Sequence, residues 1–188
     1  NIPTMGLSDG LENANVTVEG APVKVASFNN GADAAKTAFT IAKDKTWNLN
    51  GGLTVDEGSS LTNNGTLNVA ASSAEQLTVA LAVKANRINL DAKDYTLASN
   101  LKITNPIVLA GTVGADNKMT TLTQTTQAGT ATEGDNLVSI ESVKGDLVSL
   151  ENIAITKSDN FGLHVFSSDS VKLTNVTLSG NKAGGLLV

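Results

Sequence analysis

The chain has 188 residues, a net charge of −5 and no cysteine, with 40% hydrophobic, 16% charged and 3% aromatic residues. That length can bury a core, which must be aliphatic, and the missing cysteines exclude a disulfide framework, a thiolate metal site and a cysteine nucleophile. The acidic balance removes the footprint of a nucleic-acid or anionic-membrane binder, and no apolar run reaches the ~18 residues that cross a bilayer.

The 22 Thr, 20 Asn, 21 Leu, 17 Val and 17 Gly favour short strands joined by tight turns. Residues 1–71 read as a β-rich region. Val16 and Val18, then Val23 and Val25 across Gly20-Ala21-Pro22, alternate with period two. The Ala-rich patch from Gly31 to Phe39 reads as a short helix. From Trp47 to Val69 two readings stand. Asn64-Gly65 suits a type I′ hairpin, whereas Leu53 to Leu67 and Val55 to Val69, both 14 residues apart, suit the turns of a small β-solenoid, the preferred reading.

Residues 72–188 form the second region. Leu77 and Leu81, with Ala74, Val79 and Val83, follow helical spacing over 73–84; Ser72 or Ser73 stands at the N-cap and Glu75 in the first turn. Ile88 and Leu90, Tyr95 and Leu97, Leu101 and Ile103, and Ile107 and Leu109 then return to period two. The last 42 residues contain a repeat: the stretches starting at Leu147 and Ser170 superpose at a spacing of 23, Val148 on Val171, Leu150 on Leu173, Asn152 on Asn175, Ile155 on Leu178 and Leu163 on Leu186. A period in the low twenties with three alternating segments fits one coil of a parallel β-helix; the frame of a leucine-rich repeat is absent.

Coils of that kind stack equivalent side chains about 4.8 Å apart. The Val148/Val171, Leu150/Leu173 and Ile155/Leu178 rows then point inward, with Ser149/Lys172 and Ala154/Thr177 outward. Asn152 and Asn175 fall where the chain bends within one residue, which Asn tolerates best after Gly. Asn105, 47 residues before Asn152, is expected to mark the same turn two coils earlier.

The order SAEQLTVALAVKANRINLDAKDY, LKITNPIVLAG, SLENIAITKSDNFGLHVF and KLTNVTLSGNKAGGLLV resembles the right-handed parallel β-helix proteins of the pectin lyase-like superfamily, over roughly Ser73 to Val188. The resemblance implies an all-β solenoid whose N-terminal end is capped by the helix. Such proteins include pectate lyases, pectinesterases, polygalacturonases, tailspikes and bacterial surface proteins without a known reaction. A chain that stops inside a strand after Gly184-Gly185 is expected to continue with further coils beyond Val188.

Chemistry-bearing residues are sparse. His164, the only imidazole, alternates with Leu163 and Val165 and so faces outward, with Ser139 and Leu187 as expected stacked neighbours; the resemblance makes this the carbohydrate face. His164, Ser139 and Lys172 are the candidate ligand contacts. Asp135, Asp146, Glu151, Asp159 and Asp169 lie beside Gly, Asn or Ser at turns, and no Asp-Asp dipeptide exists, which argues against paired catalytic carboxylates. No cofactor is expected. Turn acids leave room for a structural calcium, although neither an EF-type loop nor a GGxGxD repeat is present. Asn15, Asn64 and Asn175 open N-x-T sequons, and the Thr-rich tract Met119 to Asp135 reads as a polar loop open to ligand contact.

The expectation is a non-catalytic, adhesin-like bacterial protein, secreted or on the cell surface, that contacts polysaccharide or a host or cell-surface protein. Nucleic acid and membrane insertion are not expected. The alternative is the N-terminal part of a polysaccharide lyase or glycoside hydrolase whose catalytic coils lie outside these residues.

Overall fold

Short alternating strands separated by connections of a few residues cannot pair in parallel with their immediate neighbours; the crossover that parallel pairing requires must be supplied by the strands between. This is how the chain pairs. The computed structural model describes residues 11–25, 38–125 and 136–188. It divides into two compact units, Asn1–Ile88 and Asn89–Val188.

In the first unit a 3-10 turn (Leu11–Asn13) precedes β1 (Val16–Val18), β2 (Val23–Val25), β3 (Ala38–Ile41), β4 (Thr46–Leu49), β5 (Leu53–Val55), β6 (Ser60–Asn63), β7 (Thr66–Ala71) and α1 (Ala74–Ala82). Three parallel ladders result, β1-β4-β7, β2-β5 and β3-β6. Val16 lies opposite Trp47 and Trp47 opposite Leu67, Val23 opposite Leu53, and Phe39 opposite Leu61, and all are buried. Trp47 is fully buried because its Nε1 donates to Ala14 O at 3.2 Å, leaving no polar atom unpaired.

Three expectations change here. Leu53 and Leu67 belong to different ladders, so their 14-residue spacing is not a stacking period. Asn64-Gly65 connects β6 to β7, which do not pair with each other, so it turns a corner instead of closing a hairpin. The expected Gly31–Phe39 helix fails at its C-terminal end, where Ala38 and Phe39 open β3; Gly31 to Thr37 lie outside the described residues.

The α1 helix starts where Ser73 Oγ accepts from Gln76 N at 3.2 Å, with Glu75 in the first turn. It ends at Ala82, and just beyond it Lys84, at φ 56°, lets Lys84 N bond Leu81 O and Ala85 N bond Ala80 O, a Schellman closure made without glycine. Leu77 and Ala80 face inward against β5 and β7, so parallel ladders already lie upstream of this helix.

β8 (Arg87–Leu90) lies at the division. The second unit continues with β9 (Asp94–Leu97), β10 (Leu101–Ile103), β11 (Ile107–Ala110), β12 (Thr120–Gln124), β13 (Val138–Glu141), β14 (Leu147–Thr156), β15 (Phe161–Phe166), β16 (Ser170–Ser179) and β17 (Gly184–Leu187). One parallel ladder runs β10-β13-β15-β17. β14 organises the rest: its first half pairs with β11, its second half with β12, and β16 pairs along both halves. β12 pairs in turn with β9. The all-β class with long parallel sheets is therefore established.

The 23-residue register holds between β14 and β16, where Val148 faces Val171, and between β15 and β17, where Leu163 faces Leu186. Earlier registers are longer: Val138 pairs with Leu163, and Ile107 with Val148. Inserted residues between strands account for the excess, including the loop from Gly111 to Met119 closed by a Val113–Met119 antiparallel bridge.

Within β14, Val148 and Leu150 are buried and so are Ile153 and Ile155, a parity change that requires a one-residue corner. Asn152 supplies it at φ 55°, and Asn175 does so in β16 at φ 52°. Asn105 departs from this scheme. It precedes Pro106, which disfavours helical backbone before it, and it has no positive φ. The residue beside Asn152 is Gly111, whose nitrogen donates to Glu151 O at 2.7 Å. A Cβ on Gly111 would lie 2.3 Å from Asn152 O, so only glycine fits that approach.

Candidate functional site

Two outward surfaces of the second unit carry the polar side chains. On the β10-β13-β15-β17 ladder, inward Leu101, Val138 and Leu163 alternate with an outward row in which Lys102 lies opposite Ser139, Ser139 opposite His164 and His164 opposite Leu187. Ser139 is 2% exposed and its Oγ accepts from Asn100 Nδ2 at 2.9 Å, so its hydroxyl is already engaged. The His164 and Phe166 rings stand 6.0 Å apart, tilted by 38°, and Phe166 is exposed. Lys102 pairs with Glu141, which faces Phe166 across the ladder. This makes a small aromatic patch flanked by an ion pair.

Lys172 is elsewhere. It sits opposite Ser149 on the first halves of β14 and β16, a different ladder from that of His164 and Ser139. Ser149 is buried, and its hydroxyl bonds to Glu151 Oε1 at 3.1 Å. The three candidate contacts thus do not converge on one site.

The second surface is formed by β9, β12 and the second halves of β14 and β16. With Tyr95, Leu122, Ile155 and Leu178 turned inward, Thr96 faces Thr123, Thr123 faces Thr156 and Thr156 faces Ser179. Four hydroxyl-bearing residues therefore stand in one outward row, one per strand and about 4.8 Å apart. A parallel row two residues away runs Asp94, Thr121, Ala154 and Thr177. Thr96 and Ser179 are exposed, and Thr123 and Thr156 are half-buried. Thr123 Oγ1 is buried without a hydrogen-bond partner, while Lys118 Nζ reaches Asp94 Oδ1 at 3.2 Å on the flank.

Sequence reasoning missed this row. Thr177 was legible as outward from the 23-residue repeat, but the β9 and β12 members come from strands whose spacing is set by inserted loops of unrelated length. Of the Thr-rich tract, Thr120 to Gln124 form β12 and residues 126–135, Asp135 included, lie outside the described residues.

Asp169 and Asp159 serve turns and ion pairs. Lys144 Nζ contacts Asp169 Oδ1 at 2.8 Å while Gly145 N donates to Asp169 Oδ2 at 3.0 Å, and together they hold the Asp169 carboxyl below its ordinary value. Lys182 bonds to Asp159, whose backbone nitrogen donates to Gln124 Oε1 at 3.1 Å. Among the described residues Tyr95 is the one strongly displaced group: burial pushes its phenol up to about 12, against the hydrogen bond that its oxygen accepts from Asp91 N. Its ring is part of the core with Lys93 Nζ 5.6 Å from its centroid, so the shift reflects packing. Among the described residues no three His, Cys, Asp or Glu side chains gather to hold a metal, and no helix is long and apolar enough to cross a membrane. The arrangement offers hydroxyl and aromatic contacts.

In comparisons with known proteins, the chain matches no family model, no curated protein and no solved structure.

Proposed function

We propose that this chain is a right-handed parallel β-helix of the pectin lyase-like type, acting as a non-catalytic scaffold at a bacterial cell surface or outside the cell, with polysaccharide as its ligand. The two successive parallel pairings β14 with β16 and β15 with β17, which share a 23-residue register, support the solenoid, and parallel crossovers are nearly always right-handed. The observation that carries the function is the Thr96-Thr123-Thr156-Ser179 row. Sugars bind through many hydroxyl contacts, each worth about 1 kcal/mol, and Thr96, Thr156 and Ser179, held by the sheet, supply them without ordering cost at binding, whereas the Thr123 hydroxyl is buried.

The test is retention on insoluble polysaccharides and on a glycan array, comparing the chain with a Thr96→Val, Thr156→Val double variant. Valine keeps shape and strand preference while removing the hydroxyl. Binding that weakens in the variant while circular dichroism stays unchanged supports the reading. Equal binding by both proteins removes the row from the ligand site. Release of unsaturated uronic products from acidic polysaccharide with calcium would overturn the non-catalytic assignment.

A further inference from the structure

The connection between β6 and β7 is two residues long, Asn64-Gly65, and it is fastened at both ends: Asn64 N donates to Ile41 O at 3.0 Å and Thr66 N to Lys45 O at 2.8 Å. Glycine is compelled there, because a Cβ on Gly65 would lie 2.4 Å from Lys45 O and 2.5 Å from Ala42 O. The fold therefore places behind Asn64 the residue that least shields its own backbone nitrogen. Asn64 is exposed and its side-chain amide has no hydrogen-bond partner among the described residues.

A second pair, Asn50-Gly51, differs at its side-chain amide. Asn50 Nδ2 donates to Glu19 Oε1 at 2.9 Å, and Gly51 backs directly onto Ala21, where an added Cβ would lie 2.1 Å from the main chain. Its amide is anchored, and its glycine, like Gly65, is packed against main chain. The two pairs are chemically identical and differ in whether the asparagine amide is held.

We propose that Asn64 is a spontaneous modification site that converts to isoaspartate and aspartate through a succinimide, and that the fold selects it over Asn50. The Gly65 nitrogen gives its proton to solvent base and attacks Asn64 Cγ; the N–Cγ bond forms, the Cγ–Nδ2 bond breaks, and ammonia leaves. Water then opens the imide at either carbonyl, giving a carboxylate and, in the isoaspartate product, one extra methylene in the main chain just ahead of β7. No oxidant or cofactor enters the balance. The structure also holds a brake. Gly65 N–H donates to Asn63 Oδ1 at 3.2 Å, and Asn63 is itself pinned through Nδ2 to Lys84 O and Asn86 Oδ1, both at 2.9 Å. While that bond stands, the attacking nitrogen is occupied.

Incubating the folded chain in mildly alkaline buffer and mapping peptides by mass, with fragmentation that separates isoaspartate from aspartate, measures both sites in one sample. The expected result is conversion at Asn64 several-fold faster than at Asn50, and one common rate for the two in denaturant, where neither retains its partners. Asn63→Ala is expected to raise the rate at Asn64 and leave Asn50 unchanged, while Asn63→Asp, which keeps the acceptor oxygen but loses the pinning Nδ2 donor, gives a rate between the two. Conversion at Asn50 as fast as at Asn64 in the folded chain, or none at Asn64 where the denatured chain converts, overturns the proposal even if the Asn63 variants fold poorly.

Discussion

Asn175 Nδ2 donates to Asn152 Oδ1 across 2.9 Å, joining the corners of two strands that are 23 residues apart in sequence and adjacent in the sheet. Both residues hold left-handed backbone, and both sit where strand parity changes. One amide thus permits the bend while its side chain ties the bend to the next layer.

Separating those two roles gives a graded series. Asn152→Gly keeps the backbone and loses the side-chain bond, at an expected cost of about 1 kcal/mol. Asn152→Val adds a β-branched residue at φ 55°, an extra cost of about 1–3 kcal/mol. Urea denaturation followed by circular dichroism ranks wild type, Gly and Val in that order; a Val variant as stable as the Gly variant contradicts the corner geometry.

Leu150 and Leu173 are register partners with different cover, 0% against 38% exposed. Leu150→Ala is expected to cost about 2–5 kcal/mol, as truncation in a closed core does. Leu173→Ala should cost roughly 1 kcal/mol or less, because less apolar surface returns to water. Equal losses in denaturation midpoint would refute the stacking order.

The Asp169 carboxyl is held below its ordinary value, first by its hydrogen bond from Lys144 and then by Gly145 N–H. A depressed carboxylate contributes stability above its unfolded value and loses it as pH falls through the folded one. Lys144→Met should raise the Asp169 titration midpoint toward that of a free aspartate, read by carboxyl-carbon NMR. The stability change should be small because the pair is exposed. An unmoved midpoint contradicts the pair.

Tyr95 titrates in the opposite sense. Its folded value near 12 exceeds the ordinary 10, so the folded state holds the proton more tightly and stability falls as pH rises between the two. The loss should approach about 2–3 kcal/mol. Tyr95→Phe should abolish that alkaline slope while losing the bond to Asp91 N, giving a protein less stable at neutral pH and flatter above pH 10. Stability curves of both proteins across the alkaline range check this.

Much of the strand pattern was legible because alternation is local: Val16 to Val18, Val23 to Val25, Ile88 to Leu90 and Tyr95 to Leu97 each carry their inward face in consecutive residues. The helix was legible for the same reason, through Ser73 and the Leu77 spacing. Pairing was legible only where the connections have equal length, as between β14 and β16. Asn105 shows the limit: counting back two periods assumes that no residues were inserted, and the loop after Gly111 breaks that assumption.

What the amino-acid sequence determined by itself is the all-β class, the aliphatic core and the two asparagine corners, since each follows from side-chain period and backbone tolerance within a few residues. Which side chains share a surface was decided by tertiary structure alone. Thr96, Thr123, Thr156 and Ser179 are separated by loops of unequal length and meet because inward Tyr95, Leu122, Ile155 and Leu178 stack. His164 and Lys172, only eight residues apart, fall on different ladders because the chain turns between them. Register is set by burying the inward rows together, and the outward rows take whatever neighbours that burial imposes.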